Sequence, residues 1–74
     1  MARIVVVAEV LDPELRQGRV LREDERGWSI TFDEGETRYL ERRNAVVLDA
    51  RLNDPAVWNA WRRAGMRPER LLEG

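Results

Sequence analysis

The chain has 74 residues, no cysteine, no histidine, thirteen basic residues that are all arginine, and fourteen carboxylates, for a net charge of −1. A chain this short is one domain with a small core that needs complete burial or an oligomer to be stable, and without cysteine or histidine it has no disulfide, no thiolate site and none of the commonest zinc ligands. Charged residues are 36% of the chain, above the roughly 25% of ordinary domains, yet the near-neutral balance gives no bulk attraction to nucleic acid.

The elements follow from apolar spacing. "IVVVAEVL", residues 4 to 11, is rich in β-branched residues and reads as a strand. Too short for a bilayer span or a signal peptide, it implies a cytoplasmic protein without a membrane partner. Ile4, Val6, Ala8 and Val10 are expected to face inward and Val5, Val7, Glu9 and Leu11 outward, which leaves an apolar outer face that a helix or another chain must cover. "DPELRQG" at 12 to 18 reads as a loop, and "GRVLRED" as a second strand with Val20 inward. "EDERG" suggests a hairpin turn ending with Gly27 at positive φ. "WSITFD" alternates Trp28, Ile30 and Phe32 against Ser29, Thr31 and Asp33; "DEGE" turns with Gly35 in a left-handed conformation, and "TRYLE" returns. "RRNA" makes a corner of one helical turn. "AVVLDARL", Ala45 to Leu52, is a fifth strand with Val46, Leu48, Ala50 and Leu52 as its core face.

At Asn53 the rhythm changes. Asn53 or Asp54 as N-cap, Pro55 in the first turn, Arg62 and Arg63 in the last and Gly65 as the stop predict a helix that projects Val57, Trp58 and Trp61 from one side. "RPERLLEG" predicts a second short helix presenting Leu71 and Leu72, dependent on docking. The chain is thus expected to be mainly β with C-terminal α: one domain over 1–74, with a barrel over 4–52 and a helical hairpin over 53–74.

The series "GRV", "GW", "ITFDEG", "YL" and "NAVVL" resembles the SH3-like small barrels, in particular the Tudor and KOW types, over about residues 4 to 50. The Tudor resemblance implies an aromatic cage for a methylated cation: Trp28 and Tyr39 would line it, with Phe32 as a third wall and Asp33 or Glu34 at the rim. Against this, alternation sends Ile30 and Phe32 to the core and makes Trp28 a cap on one end of the barrel. The KOW resemblance implies contacts with RNA, the ribosome or the transcription machinery. Phosphate contacts would then fall to Arg38, Arg42 and Arg43 near the fourth strand and to Arg62, Arg63, Arg67 and Arg70 in the tail, beside Trp58 and Trp61. The plasmid-borne, trimethoprim-resistant dihydrofolate reductases are small barrels of similar length, but "ETRYLE" keeps only the tyrosine of their "VQIY" pore motif.

Glu9 and Asp49 interrupt apolar strands, and pairing of the first and fifth strands would let Glu9 meet Arg51 and Asp49 meet Arg3. No nucleophile with a base, Gly-rich loop or metal set accompanies them, so no catalytic residue, metal, cofactor or small-molecule substrate is assigned. Residues 1 to 50 hold eight arginines against eleven acids, and 51 to 74 five against three. The first functional expectation is a non-catalytic module that docks a protein partner or its own copy. The alternative is an RNA- or single-stranded-DNA-binding factor using the C-terminal arginines and aromatics.

Overall fold

The computed structural model describes residues 3–71. Strands β1 (Arg3–Glu9), β2 (Leu15–Glu23), β3 (Gly27–Phe32), β4 (Thr37–Glu41) and β5 (Ala45–Leu48) precede helix α1 (Pro55–Arg63); single 3-10 turns occupy Arg42–Asn44 and Pro68–Arg70. The strands form one antiparallel sheet in the order β4-β3-β2-β1-β5, open at β4 and β5.

The connections force this sheet to curl. A flat five-stranded sheet would hold its edge strands roughly 19 Å apart, whereas the three residues Arg42–Asn44 between β4 and β5 advance only about 2 Å each as a 3-10 turn. The edges are therefore drawn together at that end. The curl gives the sheet an inner face, where Val5, Val7, Trp28, Ile30, Phe32, Leu40 and Ala45 pack together with Val20 and Val47 at the margin. On the outer face Val57 and Trp61 of α1 pack on Val6, Ala8 and Leu15, with Ala50, Leu52 and Leu71 around them. Burying a Val, Ile or Phe side chain contributes roughly 1.5–3 kcal/mol, against about 0–1 kcal/mol for an exposed ion pair, so these two clusters hold the fold.

The phase expected for β1 is reversed. Val5 and Val7 line the inner face and Val6 and Ala8 lie under α1. Both sets are apolar, so only Glu9 distinguished them. Its carboxylate sits on the inner face, only 12% exposed, because Arg38 at 2.8 Å and Arg16 at 3.5 Å neutralise it. The expected partner Arg51 is not in that cluster, whereas Arg3 does meet Asp49.

Further corrections concern boundaries. β2 begins at Leu15, inside the expected loop, because Leu15, Arg16 and Gln17 pair with Ala8, Val7 and Val6. β5 ends at Leu48, and its phase is also the reverse of that expected: Ala45 and Val47, opposite Glu9 and Val7, pack on the inner face, Val46 and Leu48, opposite Ala8 and Val6, lie on the outer one, and Ala50 and Leu52 pack in the cluster under α1. Gly35 has φ +104° as expected, but Gly27 is not left-handed. It lies in β3, where an added Cβ would stand 2.0 Å from the Leu40 carbonyl oxygen. The turn before it is shaped by Asp24, whose Oδ1 accepts from the N–H groups of Arg26 and Gly27.

Helix α1 starts where expected, with Asp54 Oδ1 accepting from the Ala56 N–H. It ends in a Schellman arrangement: the Gly65 N–H donates to Arg62 O and the Met66 N–H to Trp61 O. The second helix of the expected hairpin is only the 3-10 turn Pro68–Arg70. Leu71 packs beneath it, and Leu72 lies outside the described residues.

Candidate nucleic-acid interface

The alternation of β3 places Trp28 and Phe32 at opposite ends of the inner face, four residues and therefore roughly 13 Å apart, with Ile30 between them. Each ring carries an arginine. The Arg16 guanidinium lies 3.8 Å from the Phe32 ring centroid and Arg42 lies 4.5 Å from that of Trp28. Carboxylates hold both: Arg16 bonds Glu34 and Glu36, and Arg42 bonds Glu23, which also takes Arg3. The two ends of the inner face thus carry the same device, an aromatic ring under a paired guanidinium.

This arrangement decides several candidate residues. Trp28 is buried, and its Nε1 has no hydrogen-bond partner. Tyr39 pairs with Ser29 on the outer face, 49% exposed, and its hydroxyl donates to Asp24 Oδ1 at 2.9 Å. The two rings therefore stand on opposite sides of the sheet, and with Phe32 buried the aromatic cage is not assembled. Arg38 is paired with Glu9, Arg42 with Glu23, and Arg43 with Glu41 at 2.8 Å. These three cations are already neutralised within the molecule.

The electrostatics follow the same contacts. The Arg42 hydrogen bond holds Glu23 below the usual carboxylate range, and those from Tyr39, Gly27 and Arg26 do so for Asp24. Arg16 acts likewise on Glu34, and Arg3 on Asp49. Desolvation, then the bond to Asp24, pushes the Tyr39 hydroxyl up.

The tail differs. Trp61 is 5% exposed and belongs to the core, whereas Trp58 is 37% exposed, its Nε1 donating to Leu52 O at 2.6 Å. Val57, Trp61 and Ala64 are the buried stripe of the helix, so the expected single face splits and Trp58 stands at its side. Arg62 donates to Asn59 Oδ1. Arg63, Arg67 and Arg70 surround one open cleft of about 330 Å³ with Ala64 and Gly65. Among the described residues no carboxylate lies within 4.0 Å of any of these arginines or of Arg51.

Three further cations without a carboxylate partner among the described residues, Arg19, Arg22 and Arg26, were not singled out by sequence, and the first two share a face. Alternation puts positions three apart on opposite faces. The register shift between Val20 and Arg22, which leaves Leu21 as an extra residue, returns both to the outer face opposite Thr31 and Ser29.

Among the described residues no helix is long and apolar enough to cross a membrane, and no group of three or more carboxylates is arranged to hold a metal ion. The chain matches no family model, no curated protein and no solved structure.

Proposed function

We propose that the protein is a non-catalytic module that binds single-stranded nucleic acid, with an SH3-like small barrel as scaffold and the C-terminal extension as contact surface. The barrel assignment is supported by the meander of β1 to β4, the return of β5 to β1 and the one-turn corner between β4 and β5. The observation that carries the function is the partition of the arginines. From residue 51 on, all five arginines, Arg51, Arg62, Arg63, Arg67 and Arg70, have no carboxylate partner among the described residues, whereas before it Arg3, Arg16, Arg38, Arg42 and Arg43 are neutralised by carboxylates and Arg19, Arg22 and Arg26 are not. Guanidinium groups left unpaired beside one another repel, and an arriving phosphate relieves that repulsion with bidentate hydrogen bonds.

Trp58 favours a nucleic acid over an acidic peptide, because a partly exposed indole one helical turn from Arg62 offers a stacking surface for a base. The apolar residues of β1 that argued for a docked protein or second copy are covered within the chain, Val5 and Val7 by the inner cluster, and the opposite face, Val6 and Ala8, by α1. The weight therefore moves from apolar docking to charge.

The test is fluorescence anisotropy of labelled oligouridylate and oligothymidylate titrated with protein over a range of salt. Binding should weaken as salt rises. Changing Arg63, Arg67 and Arg70 together to glutamate should reduce the log–log salt slope by about 2, three lost phosphates at roughly 0.7 each. Absence of binding at low salt, or a slope unaffected by the triple change, sinks the reading.

A further inference from the structure

We infer that the part of the outer sheet face left uncovered by α1 is a second contact for the same strand, with Tyr39 as a base-stacking platform and Arg19 and Arg22 as phosphate contacts. This rests on the nucleic-acid reading above and extends it to a site of different construction. Helix α1 covers the outer face over Val6, Ala8 and Leu15 only. Beyond it the ladder sets two rows side by side: Arg22, Ser29 and Tyr39 in one, and Arg19, Thr31 and Thr37 in the next.

Between the arginines and the ring, Ser29, Thr31 and Thr37 carry short hydroxyl side chains, with Thr31 Oγ1 and Thr37 Oγ1 2.9 Å apart. The result is a shallow trough about 10 Å across from β2 to β4, bounded by two guanidinium groups on one side and an exposed ring on the other. Neither Arg19 nor Arg22 has a carboxylate within 4.0 Å among the described residues. The carboxylates bordering the trough are engaged: Asp24 accepts from Tyr39 and from two backbone N–H groups, Asp33 accepts from Gln17, and Glu41, two residues from Tyr39 on β4, accepts from Arg43 and Asn44.

Charge complementarity and an aromatic face fit a single strand, whose bases are free to stack, and not a duplex, whose bases are already stacked. The hydroxyl bond to Asp24 holds the tyrosine ring against the sheet. Both α1 and the trough lie on the outer face of the sheet. The largest extent of the described chain is 29 Å, so a single oligonucleotide can reach from one to the other.

Three variants of the whole chain, each checked for folding by its thermal melt, test the inference in the same anisotropy assay. Tyr39→Ala should weaken binding about tenfold or more, while Tyr39→Phe, which keeps the ring and loses the hydroxyl bond, should stay within about threefold of the wild type. The double change Arg19→Glu, Arg22→Glu should lower the salt slope by about 1.4, two phosphates at roughly 0.7 each. If Tyr39→Phe loses as much as Tyr39→Ala, the ring does not stack and the inference falls. If all three bind as the wild type while the tail variant does not, the second contact is absent and the tail reading stands. If the wild type itself binds neither oligonucleotide, both fall together.

Discussion

Gly27 and Glu9 show how single positions carry constraints that composition hides. Gly27 is small because β4 passes over it: an added methyl would overlap the Leu40 carbonyl at 2.0 Å, and the backbone pairing of Gly27 with Glu41 would have to yield. Gly27→Ala should therefore destabilise the fold by about 3 kcal/mol, the upper part of overpacking costs. Gly35→Ala meets open space and only the strain of φ +104°, and should cost about 1 kcal/mol. Urea midpoints of the two variants check the contrast, and equal shifts would contradict the close approach. Glu9 is tolerated on the inner face because two guanidinium groups meet it at the rim, where Arg16 is itself only 16% exposed above Phe32. A carboxylate that would be costly alone is held there by paired charge.

Helix α1 is an amphipathic element whose two tryptophans have different tasks. Trp61 fills the gap between the helix and Val6, Ala8 and Leu15, so Trp61→Ala should remove about 3–5 kcal/mol and release the helix from the sheet. Trp58 is partly exposed and contributes one hydrogen bond to Leu52 O, so Trp58→Ala should cost about 1–2 kcal/mol. Circular dichroism during urea unfolding measures both, and a larger loss for Trp58 would overturn this division. The arginines of the last turn, Arg62 and Arg63, suit the negative end of the helix dipole. The same placement keeps their guanidinium groups out of the carboxylate networks of the sheet.

Taken whole, the molecule is a sheet stiffened at both ends by charge and a tail left positively charged. Glu23, Asp24, Glu34 and Asp49 are each held below the usual carboxylate range by their partners in the folded chain. The unfolded carboxyls titrate near about pH 4, so on acidification the unfolded chain takes up protons first. The stabilisation from these groups is present above that pH and is lost as pH falls through their lower folded values. The melting temperature should hold steady above about pH 5 and decline below about pH 4, less steeply in high salt, where exposed pairs are screened. Melts by circular dichroism from neutral to acid pH check this, and a profile flat to pH 3 would remove the role given to the networks.

The changes of period, the turn residues and the caps are local matters, and they are legible in the chain: the alternation of Trp28, Ile30 and Phe32, the turn at Gly35, the one-turn corner at Arg42–Asn44 and the Asp54 cap all stand as read. The phase of β1 was not legible, because Val5, Val7, Val6 and Ala8 satisfy either face and only the placement of α1 distinguishes two cores. The candidate site divides in the same way. The excess of arginine in the tail is a property of composition, but whether an arginine is free depends on carboxylates far along the chain, such as Glu9 for Arg38 at a separation of 29 residues. Pairings of that kind, like the bulge at Leu21 that brings Arg19 and Arg22 to one face, exist only once the strands are in register. Spacing along a chain fixes neighbours within an element, while contact between elements belongs to the folded state alone.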